Sequence, residues 1–202
     1  MTRRLLILAV ILATVASLAC APRAMRGGAG TANPYMDQPA MSTTLDRADI
    51  EYMVSRNLDA LYNSKFWMGE VKGASSPLVV AIWPIQNATT EHLDDQMLTL
   101  LSSMETSLIN SGQVQVVARE SQAELAREIG IQQGAIYDQT KATRLGRQLG
   151  AWYFVTGKLT NVDEKLEKTR RVQYSLFVQI IEIETGLVKF QHESSRSKAL
   201  KR

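Results

Sequence analysis

A chain of 202 residues has room for one domain of ordinary size with a tail or two. Its 45% hydrophobic and 21% charged side chains are the composition of a globular protein, neither disordered nor polytopic. Part of the formal charge of +3 comes from Arg3 and Arg4; without residues 1–19 the balance is 21 basic against 20 acidic side chains. That argues against a nucleic-acid binder, which meets phosphates with a basic stripe. The single cysteine, Cys20, excludes an intramolecular disulfide and a cysteine-rich metal site.

The first twenty residues fall into three blocks. Thr2-Arg3-Arg4 is a short positive region, residues 5–16 are apolar apart from Thr14, and Ser17-Leu18-Ala19-Cys20 closes the segment with small residues and the thiol. That order predicts a secretory leader over residues 1–19. The apolar run is shorter than the roughly 20 residues a membrane span needs. Leu18-Ala19-Cys20 resembles a lipobox, with Ser17 where leucine is commonest. The resemblance implies cleavage between Ala19 and Cys20 and a diacylglycerol thioether on Cys20; ordinary cleavage after Ala19, leaving a free thiol, is the alternative. Ala21 rather than aspartate follows the cysteine, which in a diderm envelope favours the outer membrane over the inner one.

Residues 20–44 are dominated by Gly, Pro and small polar side chains, as in Gly27-Gly28-Ala29-Gly30, Asn33-Pro34 and Gln38-Pro39, and predict a flexible tether. The Gly run has no preceding strand and no following Lys-Ser/Thr, so it is no phosphate loop. A single globular domain is expected over 45–202. Its first element is a helix over 46–62, capped by Thr44 or Asp46, with Ile50, Met53, Val54, Leu58 and Leu61 at helical spacing. Residues 78–83 form a short continuous apolar run that reads as a strand buried on both faces, followed by a polar loop over 85–90. A helix over about 91–110 carries Leu93, Met97, Leu100, Leu101, Met104 and Leu108 on one side and stops at Gly112.

Val114, Val116 and Val117 mark a second strand, and helices are expected over about 120–131 and 138–148. Two alternating strands follow, 152–165 and 171–184, joined around Glu167-Lys168. Thr185-Gly186 makes a tight turn into a third strand over 187–192. The order α-β-α-β-α-α-β-β-β implies an α/β (α+β) fold. Two β-α crossovers are followed by an antiparallel three-strand meander in a mixed sheet, with helices mainly on one face.

Few residues suggest chemistry. His92 begins a helix and His192 follows a strand, both in polar surroundings, and neither has a nucleophile or metal-ligand spacing beside it. No Gly-x-Ser-x-Gly, His-Glu-x-x-His, P-loop or dinucleotide fingerprint is present. Asp94-Asp95 near a helix start offset its dipole without a metal. Glu182 and Glu184 alternate with Ile181 and Ile183 as the solvated face of a strand does. Lys165, Lys168, Arg170 and Arg171 gather at a hairpin tip, and Arg196, Lys198, Lys201 and Arg202 read as a basic tail; both sets suit anionic lipid or polymer, or plain solubility. The expectation is a non-enzyme with no catalytic residue, no metal and no cofactor.

The strand and loop Val79-Val80-Ala81-Ile82-Trp83-Pro84-Ile85-Gln86-Asn87-Ala88-Thr89, the helix end Leu108-Ile109-Asn110-Ser111-Gly112 and Val116-Val117-Ala118-Arg119 resemble the LpoB-type penicillin-binding-protein activators. So do residues 149–159, Leu-Gly-Ala-Trp-Tyr-Phe-Val-Thr-Gly-Lys-Leu, and the turn Ile183-Glu184-Thr185-Gly186-Leu187-Val188. The last two patterns also recur in lipoproteins of the curli-secretion CsgG type, which share an α/β core with the amino end of TolB. The resemblance covers about residues 78–200, with the helix 46–62 ahead of it. It implies an outer-membrane lipoprotein, anchored by lipid on the periplasmic face, that binds and activates a bifunctional peptidoglycan synthase. The tether is short beside the long Pro-rich linker of the best-known members. No partner-binding residue carries over, and neither nucleic acid nor a small-molecule substrate is expected. The alternative is a structural, oligomeric lipoprotein of an envelope secretion or assembly complex.

Overall fold

The computed structural model describes residue 25 and residues 30–128 and 139–201, which divide into two units at Pro39. In the first unit the described residues make short turns, in which the Met36 N–H donates to the Asn33 carbonyl and the Gln38 N–H to that of Tyr35. In the second unit the first helix, α1 (Arg47–Tyr62), opens with a reciprocal capping box. The Asp46 carboxylate accepts the Asp49 N–H at 3.0 Å while the Asp49 carboxylate accepts the Asp46 N–H at 3.1 Å. Its apolar stripe, Ile50, Met53, Val54, Leu58 and Leu61, is buried as the spacing required.

A π-helical turn, Trp67–Val71, follows. It is too short to show a period in sequence, yet Trp67 and Val71 are both buried. Strand β1 (Leu78–Ile82) comes next, then a two-residue strand β2 (Gln86–Asn87) inside the expected loop. The later elements are α2 (Asp94–Asn110), β3 (Val114–Val116), α3 (Arg119–Glu128), α4 (Gln139–Leu149), β4 (Tyr153–Leu166), β5 (Thr169–Glu182) and β6 (Val188–Lys201). Helix α2 starts later than its apolar pattern suggested, because Asn87 and Thr89 organise a hydrogen-bonded turn with Glu91. The expected end of the 120–131 helix lies outside the described residues.

The sheet order is β3-β1-β4-β5-β6, with β2 beside β4. β1 is parallel to both β3 and β4, joined by crossovers through α2 and through α3–α4, and β4-β5-β6 is an antiparallel meander. The mixed α+β sheet read from the sequence is therefore the one observed. Successive residues of β1 point to opposite faces. Val80 and Ile82 join the larger core with Tyr153, Val155 and the β5 row from Val172 to Ile180, beneath α1 and α2. Ala81 and Trp83 join a smaller cluster with Phe154 and Ile183, beneath Leu125 of α3 and Leu145 and Leu149 of α4. The two longest helices thus share one face, and the two shorter ones lie over the other.

Two glycines of the resemblance motif have separate jobs. Gly150 ends α4 at φ +65, a left-handed conformation that side chains resist. Gly157 sits where the β5 backbone crosses so closely that a Cβ would collide with the Phe177 carbonyl.

The main departure is β6. The sequence reading ended this strand at His192, yet it runs to Lys201, because its pairing to β5 continues as far as Thr169↔Lys201. The residues from Glu193 to Lys198 are polar, so hydrophobic alternation could not announce them. Their inward partners are polar as well.

Candidate functional site

That polar match forms a seam between α1 and β6. Lys198, read from sequence as part of a basic tail, is buried. Its ammonium donates to the Thr44 carbonyl at 2.7 Å and pairs with Asp46 at 2.6 Å and Asp49 at 2.5 Å. Burial opposes charge on both Lys198 and Asp46. The hydrogen bonds between them win, holding the Asp46 carboxyl below the usual range and pushing the ammonium up. Arg196 lies over the Tyr52 ring at 4.4 Å and 3.8 Å from Asp49.

Further along the strand, Asn57 donates to the Ser194 hydroxyl at 2.6 Å and the Leu176 carbonyl at 3.2 Å, and the His192 ring meets its Oδ1 at 3.1 Å. His192 is accordingly within a strand rather than after one. Its partner is a buried amide, not a nucleophile. These residues clasp helix to sheet, and among the described residues no buried side-chain polar atom of the seam lacks a hydrogen-bond partner.

Tyr174, at the centre of β5, is fully buried and donates to Glu91 at 2.7 Å; burial first, then that carboxylate, push its phenol up. Tyr153 is held in the same way by burial and by Glu70, which also takes Lys189 at 2.8 Å. Both tyrosines therefore stay protonated donors and are no general bases.

The remaining sequence-predicted residues do not converge. Ala19 and Cys20 lie outside the described residues, as does Arg202. His92 is exposed, and Asp94 and Asp95 stand in the first turn of α2. At the hairpin tip Arg170 pairs with Asp163 at 2.6 Å and Arg171 with Glu164 at 2.5 Å, so half of that basic cluster is already neutralised. Glu184 is bound by Arg147 at 2.8 Å. Among the described residues no group of three or more His, Cys, Asp or Glu could hold a metal ion.

One concave surface is built from three elements. A groove of about 900 Å³ runs between α2 and α3, with the end of β1 as its floor. Trp83, Pro84, Leu98 and Leu101 supply its apolar walls, and Leu98 is 56% exposed. Gln122 of α3 also lines it. This residue is 4% exposed; its amide donates to the Ile82 carbonyl at 3.1 Å, while its Oε1 has no hydrogen-bond partner. Sequence reading placed Leu98 and Gln122 on helices but had no signal for the groove. It forms past the end of β1, where α2 from one face of the sheet and α3 from the other come together and Arg119 pairs with Glu105.

A family model described as "Peptidoglycan-synthase activator LpoB" matches residues 49–195. The match begins inside α1, so that helix belongs to the shared domain rather than preceding it. Compared with curated protein sequences, the chain has no match. Among solved structures it is similar to the NMR structure of Escherichia coli LpoB, at 13% identity and a TM-score of 0.51 over 90% of this chain and 83% of that one. That likeness shows a shared fold. The chain is also similar to the E. coli LpoB C-terminal domain, at 17% identity and a TM-score of 0.48 over 75% and 97% of the two chains. A third similarity is to lipoprotein GNA1162 of Neisseria meningitidis, at 12% identity and 0.49 over 61% and 84%. With the family model spanning well over half of its length, the chain belongs to the LpoB family of peptidoglycan-synthase activators.

Proposed function

We propose that this protein is an outer-membrane lipoprotein that binds a bifunctional peptidoglycan synthase, a penicillin-binding protein, and activates it by contact. The observation that carries this reading is the family match across residues 49–195. Supporting it is the order of the chain: a secretory leader ending at Ala19, a cysteine fit for acylation at position 20, a Gly/Pro-rich stretch and then the domain. Each acyl methylene buried in a bilayer contributes about 0.8 kcal/mol, so two or three chains on Cys20 hold the protein at the membrane. The tether supplies a high local concentration of the domain, and preferential binding to the active state of the synthase shifts its populations. Catalysis belongs to the partner in this reading, and no cofactor is needed.

The test is glycan polymerisation by the purified synthase from the same cell, with and without the full lipoprotein. A rise in rate of several-fold on addition of the protein is expected; no rise, together with no binding, would overturn the reading. A closed ring in mild detergent that binds no synthase would favour a structural role in an envelope complex instead.

A further inference from the structure

We propose that the groove between α2 and α3 is the docking site for a partner segment in which apolar side chains are flanked by lysine or arginine, and that this segment belongs to the synthase. The assignment rests on the functional reading above. Trp83, Pro84, Leu98 and Leu101 give the groove an apolar lining open to solvent. A monomer leaves a leucine as exposed as Leu98 in many places, but here it overhangs a cleft with a buried aromatic at its floor.

The charge around the cleft selects the partner. Glu120 and Glu124 line the α3 side, and Asp94 and Asp95 stand four and three residues before Leu98, on the turn beside it. Among the described residues none of these four carboxylates has an ion-pair partner. Of the two lining cations, Arg119 is taken by Glu105 at 3.1 Å, and Arg127 is the one without an ion-pair partner among the described residues. The rim is therefore net acidic around an apolar floor, and it complements a basic-flanked apolar segment rather than an acidic one.

Gln122 ties α3 to the end of β1 beneath the groove. Its Nε2 is committed to Ile82, and its Oε1 lacks a donor within a residue that is almost wholly buried. The chain's own hairpin tip offers Lys165 and Lys168 near Leu200, but Glu167 at its turn makes it a poorer match than an external basic segment.

The test uses the full lipoprotein and the purified synthase. A benzophenone amino acid at Leu98 is expected to cross-link to the synthase at residues next to lysine or arginine, while the same group at Val162, on the distant hairpin, gives no adduct. Exchanging charge with Glu120→Lys and Glu124→Lys together is expected to weaken binding at least tenfold at low salt, with a smaller loss at 0.5 M salt and an unchanged melting temperature. Parental affinity in that variant, an adduct in an acidic segment, or an adduct in the hairpin of a second copy overturns the docking site. If activation is intact and the Leu98 adduct is missing, the groove falls alone. Should the synthase neither bind nor respond to the parent protein, both readings fall.

Discussion

Lys198 shows how far one residue can depart from its local signal. In sequence it stands among Arg196, Lys201 and Arg202 and looks like solvated tail; in the fold its ammonium is enclosed by Asp46, Asp49 and a carbonyl. Removing one member of a buried pair costs about 3–5 kcal/mol, because the other charge is left without a partner. Lys198→Met is therefore expected to lower stability by about that much at pH 7, measured by urea unfolding. The pH dependence follows from the directions of the shifts. Asp46 titrates below its unfolded value, so its contribution is complete above about pH 4 and is lost as pH falls through the lowered value. Lys198 titrates above its unfolded value, so its contribution is complete below about pH 10 and is lost as pH rises through the raised one. The gap between parent and variant should accordingly narrow as pH is taken down toward 3; a gap independent of pH would contradict the pairing. Gly157→Ala makes a second residue-scale case. Its Cβ has no space against the Phe177 carbonyl, and a loss of about 1–3 kcal/mol is expected, with altered amide shifts along β4 and β5.

At the scale of elements, α1 is the one whose standing changed most. Its cap and apolar stripe were plain in sequence, but it was read as an addition ahead of a core beginning at residue 78. In the fold Ile50, Met53, Leu58 and Leu61 are part of the main core, and Asn57 reaches the β5 backbone and the β6 side chains. A chain starting at residue 64 should therefore fail to fold cooperatively, losing the sharp urea transition of the parent. A truncation that kept it would show α1 to be dispensable. Strand β6 was half legible for a reason tied to α1: after His192 its inward positions are Ser194, Arg196 and Lys198, which face the polar side of that helix. A polar strand paired with a polar helix face leaves no hydrophobic alternation to read. The π-helical turn was hidden by its length, though Tyr153 reaches Glu70 within it.

For the whole molecule the decisive expectation concerns attachment. No helix among the described residues is long and apolar enough to cross a membrane. The proposed anchor is lipid on Cys20, so Cys20→Ala is expected to abolish palmitate labelling and to move the protein from the envelope to the soluble fraction. Retention of label in that variant would refute it. The stretch between Cys20 and the capping box of α1 sets how far the domain can stand from the anchoring membrane, which makes activation in cells sensitive to its length while activation by purified protein stays constant. The amino-acid sequence by itself determined the existence and order of the main elements, the mixed sheet and the family resemblance, because caps, apolar periods and turn glycines act within a few residues of one another. Only the tertiary structure decided which charges are free, since Lys198, Arg170 and Arg171 find their partners across strands and helices. It also decided where a concave surface forms, because the α2–α3 groove is made by residues up to 45 positions apart, from Ile82 to Arg127, that meet only when the crossovers close.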